Sequence, residues 1–215
     1  MAKSTPQGGS KADVVRKKKK IQVDVSGKVD VQGIITHAIA VKKGASDGDF
    51  PALMNSVANQ GGGKFADAVR AAQNELRLLD ASAHRMALLA MAQVGYMLCD
   101  VQPRLTAATS IAAVYTALEH QQTPVWLPLD LLETRPSVEE SWRMSSDSLS
   151  AWFAREIDAQ HLIVVKSAVI EPSASLEALA AVGIVDELLA CNTRGAAFHT
   201  RIVTADALWQ IGEEL

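Results

Sequence analysis

Aromatic residues are scarce in this chain. Four Trp, two Tyr and four Phe make up 5% of its 215 residues. Antiparallel sandwiches draw heavily on aromatic and β-branched side chains, so the scarcity argues against that class. Cysteine is scarcer still. Cys99 and Cys191 are too few for a disulfide framework, and both sit in helical-looking text, where they read as small core residues. A reducing cytoplasm is the compartment expected. No run of about 18 apolar residues exists to span a bilayer, and the N-terminus lacks the apolar core of a signal peptide. The five histidines, His37, His84, His120, His161 and His199, show no metal-ligand spacing. They read as surface or core-edge residues, and no metal site is expected from them. No Ser-His-Asp or Cys-His arrangement stands out.

What is present is Ala, Leu and Val, within a hydrophobic content of 48%. That favours helices packed on a buried sheet. The formal charge of −3 hides an asymmetry. Residues 1–43 carry a net charge of +7 and residues 44–215 a net charge of −10. The run Arg16-Lys17-Lys18-Lys19-Lys20 is able to touch phosphate backbones. No aromatic residues interleave with it, so a solvated tail or an arm docking on an acidic neighbouring subunit is the plainer reading, and nucleic acid is not the expected partner. Residues 1–20 read as a disordered basic arm, and residues 21–215 as a single α/β domain.

Along the chain, Ile21 to Val31 alternates polar and apolar residues around Ser-Gly, the pattern of a hairpin or two short strands. The text from Gly33 to Lys43 fits either a strand or a short helix. A short helix after Asp49 or a strand near Met54 to Ala58 follows. "KFADAVRAAQNEL" places Phe65, Ala68, Val69, Ala72 and Leu76 on one helical face. "SAHRMALLAMAQVGYMLCD" is a nearly all-apolar second helix, suited to a core or a subunit interface. "TAATSIAAVYTALEHQ" reads as a third helix, followed by a buried strand around Val125 to Leu127. "SSDSLSAWFAREIDAQ" is a helix that Ser145 or Ser146 caps, with Asp147 at its positive end. "HLIVVKS" is the clearest strand, apolar without alternation and therefore covered on both faces. A helix broken near Gly183 and one or two last strands complete the chain. Helices alternating with strands imply an open, mainly parallel sheet.

Three places carry potential chemistry. Gly61-Gly62-Gly63 runs into a helix, where backbone amides face an anion; taken alone a glycine run is more often a plain loop, and no G-K-[ST] follows to make a Walker motif. Asp147 is either a helix-dipole partner or a carboxylate at the edge of the sheet. Lys166 ends the buried strand, and ligands of open α/β sheets bind beyond such ends; it is equally a charge where a strand leaves the core.

Together these segments resemble the amino acid kinase family, which includes aspartokinase, acetylglutamate kinase and uridylate kinase. "GGGKFADAVRAAQ" looks like its glycine-rich loop and following helix, and "SSDSLSAWFAREIDAQHLIVVKS" like its Asp-bearing helix and buried strand. "AHRMALLAM" (Ala83 to Met91), "PVWLP" (Pro124 to Pro128) and "VGIVD" (Val182 to Asp186) are similar to a small subgroup of methanogens and C1-metabolising bacteria. The resemblance spans residues 60 to about 187. It implies a three-layer αβα sandwich and ATP-dependent phosphoryl transfer to a small phosphorylated aminomethylfuran, on the route to methanofuran-type carriers, with Mg²⁺ travelling on ATP. It implies that Gly61, Gly62 and Gly63 face the substrate, that Asp147 is the organising aspartate, and that Lys166 and Ser167 begin the nucleotide loop. The family's opening strand, which carries a lysine and paired glycines, has no clear counterpart; "IQVDVSGK" places Asp24 near the lysine position and "IAVKKGAS" offers Lys42 or Lys43. A catalytically silent subunit of this fold is therefore the alternative. The all-apolar helix implies a homo- or hetero-oligomer.

Overall fold

A computed structural model describes residues 39–41, 56–58, 60–135, 138–171 and 173–204. The chain divides into two units, Met1–Asp30 and Val31–Leu215, and every described residue belongs to the second. The basic arm, the hairpin expected at Ile21 to Val31, and Asp24, Lys42 and Lys43 lie outside the described residues.

Six described strands form one sheet: β1 (Ile39–Val41), β2 (Ser56–Ala58), β3 (Leu105–Ala108), β4 (Thr123–Trp126), β5 (His161–Lys166) and β6 (His199–Thr204). Their spatial order is β3-β4-β2-β1-β5-β6. Pairs β2–β4, β3–β4 and β5–β6 are parallel, while β1 runs antiparallel to both β2 and β5. Five strands therefore share one direction, and β1 alone opposes them. The carboxyl ends of those five, Ala58, Ala108, Trp126, Lys166 and Thr204, lie along one edge. The strands alternate with helices α1 (Gly63–Leu76), α2 (Asp80–Val101), α3 (Ile111–Glu119), α4 (Leu129–Leu132), α5 (Ser146–Glu156), α6 (Leu176–Ala181) and α7 (Leu189–Thr193). The fold is mixed α/β with a mostly parallel sheet.

β5 is buried through Leu162, Ile163, Val164 and Val165, as an uninterrupted apolar run between covered faces requires. Around it the core closes on Trp126, whose indole stacks on Phe153 at 3.9 Å between centroids. α5 supplies Leu149 and Phe153 to this core, and Ile157 joins them at its C-cap. Because α5 leads by a short link into β5, its first turn lies at the carboxyl edge of the sheet.

Three local readings are corrected. The helix expected from Thr106 is a strand followed by a helix. Leu105–Ala108 pairs with Thr123–Trp126, and the helix starts only where the Ser110 hydroxyl accepts from the Ala113 amide at 3.1 Å. The buried face of α1 is Ala66 and Val69, whereas Phe65 and Leu76 are exposed. Contact with α2 selects the smaller residues, because close helix approach leaves no room for large ones. Cys191 is exposed rather than a core residue, and Cys99 is half-buried; both are free thiols. Among the described residues no helix is long and apolar enough to cross a membrane.

Candidate active site

The edge formed by the carboxyl ends of the parallel strands brings together residues far apart in the chain. Gly61, Gly62 and Gly63 follow β2 and open α1. Gly62 is the N-cap of α1, which has neither a side-chain cap nor an acidic residue in its first turn. The partial positive charge of that end is thus left for something outside the helix. A Cβ on Gly62 would stand 2.6 Å from Ala66 Cβ and 3.0 Å from Ala90 Cβ, so the missing side chain lets α1 lie on α2. Gly63 has φ +50°, a conformation that L side chains rarely take. Before them, Gln60 is buried and its Nε2 donates to the Met91 carbonyl at 2.9 Å. That bond pins the turn to α2.

Asp147 occupies the first turn of α5 and is buried, with its side chain only 3% exposed. Lys166 ends β5, and its Nζ donates to Asp147 Oδ2 at 2.6 Å. The same Oδ2 accepts from the Asp186 amide at 3.2 Å. The other oxygen, Oδ1, is buried without a hydrogen-bond partner among the described residues. A charge so placed is tolerated only where cations and donors compensate it.

Asp186 is the residue that sequence reasoning passed over, although it closes the "VGIVD" text. Its Oδ2 accepts from the Ser145 amide at 2.9 Å, the Ser145 hydroxyl at 3.0 Å and the Ser148 amide at 3.0 Å. Its Oδ1 accepts from the Ser148 hydroxyl. Ser145 takes the N-cap position, but its side chain makes no cap bond. The capping acceptor comes instead from Asp186. Burial, and then the adjacent Asp147 carboxylate, push the Asp186 carboxyl above the usual carboxylate range.

One cavity of about 390 Å³ is lined by Gly61, Gly62, Gly63, Asp147, Lys166 and Asp186. Ser167 is not among its lining residues; it is exposed, just past the end of β5. Arg70 and Trp142 form another part of the wall. The Arg70 guanidinium carbon lies 4.2 Å from the centre of the Trp142 ring, a cation–π contact. The indole is held by its Nε1, which donates to Gln73 Oε1 at 2.6 Å. His84 is buried in the same wall, with Nδ1 facing the Ser141 carbonyl at 3.3 Å. Of the surface or core-edge placements expected for the histidines, His84 takes a buried one beside the cavity. Burial pushes its pKa below the ordinary value, against the Ser141 carbonyl and Glu140, which raise it.

No family model matches the chain. Over 104 residues it is 26% identical to the [5-(aminomethyl)furan-3-yl]methyl phosphate kinase of Methanocaldococcus jannaschii, covering 48% of this chain and 48% of that enzyme. The chain thus spans about half the length of the curated relative it matches.

Proposed function

We propose that this protein is a small-molecule kinase that transfers the γ-phosphoryl group of ATP to a phosphorylated aminomethylfuran or a close relative. The observation that carries the reading is the cavity shared by Gly61, Gly62, Gly63, Asp147 and Lys166. Its support from outside is the similarity to the furan phosphate kinase. In this reading the architecture is a three-layer sandwich of the amino acid kinase type.

The chemistry asks little of the protein beyond position and charge. An oxygen of the acceptor phosphate attacks the γ-phosphorus, the bond to the β–γ bridging oxygen breaks, and ADP leaves. Catalysis of such a step is mostly alignment and neutralisation of spreading negative charge. Lys166 would meet the transferring group or the nucleotide phosphates, with Ser167 at the start of the nucleotide segment. Asp147 would hold that ammonium in one place. The uncapped amides after Gly62 would face the acceptor phosphate. Arg70, fixed on Trp142, adds a cation suited to an anionic substrate. Mg²⁺ would arrive with the triphosphate. We place the enzyme in the cytoplasm as an oligomer in C1-carrier synthesis.

A second reading, a silent member of the same fold with a binding or assembly role, is favoured by one observation: "IQVDVSGK" places Asp24 near the position where the family's opening strand carries its lysine. The two readings part on one assay. Wild-type protein is incubated with MgATP and the phosphorylated aminomethylfuran, and ³¹P NMR follows the γ-phosphate. Appearance of ADP together with a diphosphate product supports the kinase. Full retention of ATP beside a folded protein supports the silent subunit.

A further inference from the structure

Asp186 has a position that no side-chain chemistry at the cavity requires by itself. It lies 39 residues beyond Asp147 and 38 beyond Ser148, yet it touches the helix of both with two different groups. Its carboxylate takes four donors from Ser145 and Ser148. Its backbone amide donates to Asp147 Oδ2, the oxygen that also holds Lys166. The residues before it, Gly183, Ile184 and Val185, line the cavity together with it. Two carboxylates this close repel, and burial sharpens the repulsion. An arrangement that keeps them adjacent is retained only if the donors around Asp186 compensate, and the amide ends of α5 supply part of that compensation.

We propose that Asp186 is a positioning residue: it locks the 183–186 segment onto the first turn of α5 and so fixes the Asp147 carboxylate in the orientation that holds the Lys166 ammonium at the cavity rim. The proposal rests on the kinase reading for its catalytic consequence, but its structural content stands apart from it. An ordinary helix cap would steady α5 wherever its acceptor came from. Asp186 does more, because the same residue that caps the helix also donates to the carboxylate the helix carries. Loosening the lock frees Asp147 to rotate about its own side-chain bonds, and Lys166 follows.

The test uses full-length protein and three variants. Asp186→Asn removes the charge and presents two donors to a ring of donors. Asp186→Glu keeps the charge but displaces it. Ser145→Ala/Ser148→Ala keeps the Asp186 carboxyl and removes the two hydroxyls among its four donors. Lys166 and the exposed Lys64 are labelled with an amine-reactive reagent, and their rates are compared by mass spectrometry. Thermal unfolding and, where ATP turns over, kcat and KM are measured alongside. We expect the Lys166-to-Lys64 rate ratio to rise about fivefold or more in the double serine variant, the factor that a net hydrogen bond of ordinary strength supplies. It should rise in both Asp186 variants, with Glu failing to restore the wild-type ratio. In an active enzyme kcat should fall about tenfold or more with KM for ATP little changed, as expected when alignment rather than binding is lost. A lowered melting temperature with an unchanged labelling ratio would overturn the proposal and leave Asp186 a cap only. If the wild type turns over no ATP, the kinase reading fails, while the labelling ratio still decides the role of Asp186.

Discussion

Lys166 Nζ lies 2.6 Å from Asp147 Oδ2 at the carboxyl edge of the sheet, in a pair whose side chains are only 14% and 3% exposed. The strand β5 delivers the lysine and the helix before it delivers the aspartate. Any short link between an antiparallel-running helix and a buried strand would set the two ends side by side. The pair therefore follows from the order of the elements, and its burial makes it consequential.

Breaking the pair from one side strands a charge. Lys166→Ala is expected to lower the free energy of unfolding by about 3–5 kcal/mol, the usual result when a buried partner is removed alone. Lys166→Met with Asp147→Asn should recover most of that loss, since both charges are then gone. Urea titrations of the two variants and the wild type check this. In an active enzyme both variants should lose turnover, by about 10² to 10³ for the single change.

The glycine turn makes a second prediction, which separates close approach from backbone conformation. Gly62→Ala drives a methyl group into Ala66 and Ala90 and should destabilise the protein by about 1–3 kcal/mol, as overpacking does. Gly63→Ala meets no neighbouring atom within 4 Å and pays only for its φ of +50°, roughly 1 kcal/mol. Thermal melts should rank Gly62→Ala below Gly63→Ala. The reverse order would show that α1 does not rest on α2 at Gly62.

Two buried groups predict opposite pH slopes. The folded Asp186 carboxyl is raised above its unfolded value of 3.8 by burial and then by Asp147. Its contribution to stability is fully present below 3.8 and is lost as pH rises through the raised value. Folded His84 is lowered from 6.5 by burial, so its contribution is present above 6.5 and is lost as pH falls through the lowered value. Unfolding free energies measured from acid to neutral pH should therefore fall relative to Asp186→Asn as pH rises in the first window. Relative to His84→Gln they should rise with pH in the second. A slope of the same sign in both comparisons would contradict these burial assignments.

How much of this was legible in the residues varies with the kind of signal. The strand Leu162 to Val165 announced itself because both its faces are covered, and the Asp147 helix because a carboxylate at a helix start is a local feature. β3 was missed because "TAATSIAAV" carries equal helix and strand character, and only pairing with β4 and the Ser110 cap decide it. Asp186 was missed because its role is made of contacts about 40 residues away along the chain, which no local pattern encodes. The face of α1 was misplaced because periodicity identifies an apolar stripe but not which small residues a neighbouring helix admits. Whether His84 would lie at the surface or at the core edge was left open by its own text, because its polar partner, the Ser141 carbonyl, stands 57 positions away.

The most direct test of the account is calorimetric titration of MgATP into the wild type and into Lys166→Ala. Saturable heat is expected for the wild type below millimolar ATP, with a marked weakening when the ammonium beside Asp147 is removed. Absence of heat from the folded wild type at millimolar ATP would contradict the claim that this rim receives a nucleotide, as would equal affinity in the two proteins.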